Sequence, residues 1–189
     1  MSELALAQIA VNDGTENKIF RHFGPDDPAS PNEYGLFGGY LPPNAALVGR
    51  YENPHDGMIR LLREQTHLDM RHGEELLLGS YHQLETPKDL SIASEPVKIH
   101  FFEAFIRQGV NAEQAYMPDV DLKFAFEGVK HAILTNEELL KKSKVVPVVR
   151  FILEQMAERS NGRSYEENVQ AIFTDMLGPI EVVTKKLRI

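Results

Sequence analysis

Between Gly24 and Pro54 the chain reads GPDDPASPNEYGLFGGYLPPNAALVGRYENP, and no long helix fits there. Each proline removes a backbone donor, and each glycine weakens regular structure. The run is not a solvated linker either, because Tyr34, Leu36, Phe37, Tyr40 and Leu41 are too apolar to be left in water. An irregular segment with that much apolar surface has to lie against its own domain or a neighbouring subunit. These five residues are therefore the candidates for a partner or subunit contact. The expectation is an ordered arm that meets a second protomer as well as its own helices.

Beyond the arm, helix punctuation dominates. Residues 54–84 read as one long or broken helix, interrupted at Gly73 or Gly79. SEPVKIHFFEAFIRQG has a proline near its first turn and a glycine at its end, and Val97, Phe101, Ala104 and Phe105 follow helical spacing. The alternation Val97, Ile99, Phe101 equally suits a strand. DVDLKFAFEGVKHAIL puts Leu122, Ala125, Phe126, Val129 and Ile133 on one helical side. Thr135–Glu138 and Ser164–Glu167 are capping boxes, and Pro147 opens a further helix. ENKIFRHF reads as a short helix ending at Gly24, and residues 3–11 as a short helix or strand. The tail 179–189 suits either. The predicted fold is mostly all-α: an irregular helical bundle of five to seven helices. The predicted organisation is an N-terminal segment and Pro/Gly-rich arm over 1–53, followed by a helical domain over 54–189.

Charge and composition narrow the function. The formal net charge of −8 argues against a nucleic-acid backbone as the main partner. The basic clusters KKSK (141–144) and KKLR (185–188) suit helix ends. With no cysteine, disulfides, thiolate metal sites and cysteine nucleophiles are excluded. The start MSELALAQIAVNDG lacks a basic leader, and no segment approaches the roughly 20 apolar residues a membrane span needs. The expectation is a soluble, cytoplasmic protein without a membrane partner.

The candidate metal ligands are Glu64, His67, Asp69, His72, Glu127 and His131. Glu64–His67, Asp69–His72 and Glu127–His131 have the i,i+3 or i,i+4 spacing that lets a carboxylate and an imidazole share one helix face and one divalent ion. Geometry limits the set, because His67 and His72 lie about 140° apart around an unbroken helix. No ion is expected to bridge those two. His55–Asp56 resembles the paired ligands of HD-type phosphohydrolases, but it sits in NPHDGM, where a cap or early-turn acid is expected. Asp119 and Asp121 read as a helix start. There is no phosphate-binding glycine loop and no Gly-x-Ser-x-Gly elbow.

The leading reading is an acidic helical interaction or assembly protein, a homo-oligomer or a binder of another protein, with the 24–54 arm in the contact. The alternative is a metal-dependent enzyme with a carboxylate/His site in a helical scaffold, of oxidoreductase or phosphohydrolase type. A carrier of a small apolar ligand is the third.

Overall fold

A computed structural model of the chain describes residues 2–12, 16–28, 30–44, 50–68, 76–86, 96–107 and 120–160. Its elements are β1 (Ser2–Asn12), β2 (Lys18–His22), β3 (Tyr34–Gly35), β4 (Phe37–Tyr40), α1 (Pro54–Gln65), β5 (Leu76–Glu85), β6 (Val97–Arg107), α2 (Leu122–Ala125), β7 (His131–Leu134), α3 (Asn136–Leu140) and α4 (Pro147–Ser160). The chain divides into two compact units, Met1–Ile152 and Leu153–Ile189. Of the second, residues 153–160 are described, and they are the last turns of α4.

The first unit is built on β1. Residues Leu4 to Val11 are all buried, the mark of a strand covered on both faces. One edge of β1 pairs in parallel with β6 along its whole length, from Ser2↔Val97 to Asn12↔Arg107. The other edge is shared. Leu4 to Ala7 pair antiparallel with β4, and Ile9 and Ala10 pair with β2. β5 lies antiparallel on β6, while β3 and β7 both pair with β2. The result is a seven-stranded mixed sheet.

The two faces of the sheet differ. Ala5, Ala7, Ile9 and Val11 share one face with Phe102, Ala104 and Ile106, and form one core with Met58, Leu61 and Leu62 of α1. On the opposite face Gln8, almost fully buried, donates from its Nε2 to Asn136 Oδ1 of α3 at 2.7 Å.

The expected all-α bundle is not what forms. ENKIFRHF contributes strand β2, not a helix. The single helix expected over 54–84 stops at Gln65, and β5 follows from Leu76. The segment opening at Ser94 yields β6, and DVDLKFAFEGVKHAIL yields the four-residue α2 and the strand β7. The Pro/Gly-rich arm is not irregular throughout, since it supplies β3 and β4. Two helix expectations hold. The Thr135–Glu138 capping box opens α3 with both reciprocal bonds made, and α4 begins at Pro147. The Ser164–Glu167 box and the tail 179–189 lie outside the described residues.

The arm can pair because its glycines let it approach β1. Gly38 has φ +133°, a conformation strained for residues with a side chain, and a Cβ there would collide with the Ala5 carbonyl oxygen. Phe37 beside it is 0% exposed and its ring packs 5.5 Å from that of Phe126. Phe37→Ala is expected to lower unfolding free energy by about 3–5 kcal/mol. Denaturant titration checks this, and a loss below about 1 kcal/mol would contradict the core position. Deleting residues 25–43 removes β3 and β4 together and should abolish cooperative unfolding.

Candidate active site on the helix side of the sheet

α1 is fixed to the sheet at both ends. At its start Asn53 Oδ1 accepts from His55 N at 3.0 Å and Asp56 N at 3.4 Å, with Pro54 in the first turn. Asp56 is thus an early-turn acid, as its setting suggested. Gly57 lies where a Cβ would clash with Leu41, so α1 sits close on the segment after β4. At its end Gln65 makes a two-point bond to Gly38. Its Oε1 accepts from Gly38 N at 2.9 Å and its Nε2 donates to Gly38 O at 2.8 Å.

Along the outward side of α1, Arg60 joins two carboxylates. Its Nη2 lies 2.7 Å from Glu52 Oε2, its Nε 3.2 Å from Glu52 Oε1, and its Nη1 3.0 Å from Glu64 Oε1. These bonds push the Arg60 pKa up, Glu52 contributing most. Beside them is an open pocket of about 470 Å³ lined by Asp56, Ile59, Arg60, Arg63 and Glu64.

A second cluster lies on the same sheet face, nearer the start of β1. His100 is 2% exposed, and both its ring nitrogens have partners. Its Nε2 is 2.7 Å from Glu3 Oε2 and its Nδ1 is 2.6 Å from Tyr81 Oη. A carboxylate only accepts, so the neutral imidazole donates from Nε2 to Glu3 and accepts at Nδ1 from the Tyr81 hydroxyl. Lys98 Nζ stands 3.6 Å from Glu3 Oε1. Burial pushes the Tyr81 pKa up, with the Glu3 charge adding to the effect, so the phenol keeps its proton near neutral pH. The Tyr81 ring packs on Phe102 at 5.1 Å, and the exposed His55 ring meets Phe102 edge-on at 6.5 Å.

On the opposite face, at the irregularity in β5, Glu103 accepts from Ser80 Oγ and lies 3.9 Å from His82 Nε2. These contacts, His82 first, hold the Glu103 carboxyl below its ordinary range. Ser80 bonds the acid and not the imidazole, so the trio is not a nucleophile with its base.

Four of the six metal candidates lie among the described residues. Glu64 is engaged by Arg60. His67 follows α1, exposed, with its backbone N–H donating to Ala125 O at 2.8 Å and its ring against Phe124 at 5.6 Å. Glu127 is exposed in the turn after α2, and His131 opens β7, where its Nδ1 meets Val129 O at 3.0 Å. Asp69 and His72 lie outside the described residues. Among the described residues no three His, Asp or Glu side chains are grouped to hold a metal ion. Asp121 caps α2 through bonds from Lys123 N and Phe124 N, as its position implied. Of the arm residues, Leu36, Phe37 and Leu41 are buried within this chain, Tyr34 stacks on His22 at 4.6 Å, and Tyr40 is 52% exposed. Sequence reasoning passed over Glu3, His100 and Tyr81, Arg60 with Glu52, and Gln65.

No family model matches the chain, and no curated protein matches it. Solved structures do. The MutT protein from Methanosarcina mazei Go1 is 15% identical, with a TM-score of 0.56 over 86% of this chain and 96% of that one. The C. elegans Ap4A hydrolase binary complex is 13% identical, with a TM-score of 0.54 over 86% of this chain and 100% of that one. A Nudix hydrolase from M. smegmatis is 11% identical, with a TM-score of 0.52 over 84% of each chain. The fold is therefore that of the Nudix hydrolases, not a helical bundle. The assembly-protein reading goes with the bundle, because the arm on which it rested forms strands of the chain's own sheet. Among the described residues no helix is long and apolar enough to cross a membrane.

His100 gives the site a pH signature. Its pKa lies below the ordinary 6.5, chiefly because burial opposes the imidazolium; Glu3 pulls upward and Lys98 adds to the lowering. The unfolded chain takes up this proton before the folded one does. Stability from His100 is therefore full above about 6.5 and declines as pH falls below it. Denaturation midpoints should drop between pH 7 and 5, less steeply in His100→Gln. A wild type equally stable at both pH values would contradict the assignment.

Proposed function

We propose that this chain is a hydrolase of a small phosphorylated molecule, cleaving a phosphate ester or anhydride from the α1 side of its sheet. The observation that supports it most is the correspondence of 86% of this chain with the whole C. elegans Ap4A hydrolase chain. It is the phosphohydrolase branch of the enzyme alternative, moved from a helical scaffold to a sheet. Arg63, which lines the α1 pocket, is the group to meet a phosphate oxygen, since a guanidinium forms charge-assisted bonds to it. Arg60 is held by Glu52 and Glu64 and shapes the wall of the pocket. The cysteine-free composition agrees with a reducing compartment, and the cytoplasm is part of the same proposal.

Phosphoryl transfer is commonly served by divalent cations on carboxylate oxygens. The described residues do not fit such a centre, because Glu52 and Glu64 share Arg60 and no three candidate ligands are grouped. That neutralisation favours a second reading, in which the same class of ligand is bound without turnover.

The test uses the full chain with Ap4A, ADP-ribose and nucleoside triphosphates, each with magnesium, with manganese and with a chelator. Chromatography of the products should show cleavage of at least one compound. Arg63→Ala should lower kcat/KM by about 10- to 100-fold, the worth of one charge-assisted hydrogen bond, with the thermal midpoint unchanged. No cleavage under any condition contradicts hydrolysis, and calorimetric binding without cleavage supports the second reading.

A further inference from the structure

Glu3, His100 and Tyr81 come from β1, β6 and β5, three neighbouring strands, and meet on the face that carries α1. We propose that Tyr81 is a proton-transferring catalytic residue of this face, with His100 and Glu3 as positioning residues behind it. The proposal rests on the hydrolase reading only in naming water as the group that loses a proton.

The geometry supports it in three ways. The hydrogen bonds form one directed chain, from the Tyr81 hydroxyl to His100 Nδ1 at 2.6 Å and from His100 Nε2 to Glu3 at 2.7 Å. His100 is buried in the middle of the chain, whereas Tyr81 and Glu3 at its two ends are half-buried. Tyr81 and His55 also rest on the same Phe102 ring, which joins the phenol to the first turn of α1 beside Asp56 of the pocket.

The step balances without an added reactant. Water gives a proton to Tyr81 Oη while the phenolic proton passes to His100 Nδ1, and the imidazolium is held by the Glu3 carboxylate. The hydroxide oxygen uses its electron pair to form the new bond to phosphorus. The bond from phosphorus to the leaving oxygen on the opposite side breaks, that oxygen takes a proton from solvent, and the proton on His100 returns through Tyr81 to solvent. Base catalysis of this kind contributes about 10²- to 10⁴-fold.

Labelling of the intact protein with an arylsulfonyl fluoride tests Tyr81 without any substrate. The phenolic oxygen attacks sulfur, fluoride leaves, and the proton goes to His100, so a phenol with a base beside it reacts faster. The chain has 6 tyrosines, and peptide mapping makes the others internal controls. Tyr81 should label about tenfold faster than exposed Tyr40, and His100→Gln should remove the difference while leaving the other tyrosines unchanged. Glu3→Gln should give an intermediate rate, and it carries the test if His100→Gln fails to fold. Equal rates for Tyr81 and Tyr40 in the wild type, or a Tyr81 rate indifferent to both substitutions, would overturn the proposal. On a cleaved substrate, Tyr81→Phe should lower kcat by about 100-fold or more with KM nearly unchanged. Unchanged kcat sinks the Tyr81 role and leaves the hydrolase reading standing, whereas absence of any cleavage sinks that reading and leaves the labelling result to judge Tyr81.

Discussion

The pairing of β1 on both edges and its burial on both faces is the constraint on which the rest depends. Ala5, Ala7 and Ile9 are 0% exposed, so the middle of that face of the strand is closed to solvent. Water cannot satisfy a backbone buried in this way, so its donors and acceptors need partners within the chain. β6 supplies one edge over eleven paired positions, and β4 and β2 divide the other. This division explains the glycines of the arm. Only a residue without a side chain can lie at Gly38 against the Ala5 carbonyl, and that approach brings Phe37 into the core.

The position of α1 follows from the same strand. Small residues at Ala5 and Ala7 leave room for Met58, Leu61 and Leu62, while Gln65 bonds back to Gly38 on the strand that pairs with β1. The buried stripe turns Arg60, Arg63 and Glu64 outward, and this orientation opens the pocket. The register of β1 on β6 brings Glu3 beside His100, and the register of β5 on β6 brings Tyr81 within reach of it. Pocket and proton chain are thus two products of one sheet.

Local signals were legible where a helix end is decided by its own few residues. Thr135–Glu138 and Pro147 mark true helix starts, and Asn53–Pro54 opens α1. The strands were not legible, for a physical reason. A strand buried on both faces loses its alternation, so β6 offers Val97, Phe101, Ala104 and Phe105 to a helical reading as readily as Val97, Ile99 and Phe101 to a strand. Short strands such as Lys18–His22 and His131–Leu134 carry too few residues to show a period. The site was hidden for another reason. Glu3 and His100 are 97 positions apart, and Arg60 meets Glu52 at a separation of 8, which no helical spacing anticipates. The candidate metal ligands were chosen for carboxylate–histidine spacing along a helix, and the buried His100 lay outside that set.

Residues 97–107 form a strand parallel to β1 and not an amphipathic helix. Backbone nuclear magnetic resonance of the labelled chain tests it directly. Strong sequential Hα–HN contacts through 97–107, with cross-strand contacts linking Leu4 to Ile99 and Ile9 to Ala104, are the predicted result. Strong sequential HN–HN contacts through the same residues, with no contact to β1, would contradict the fold and the site built on it.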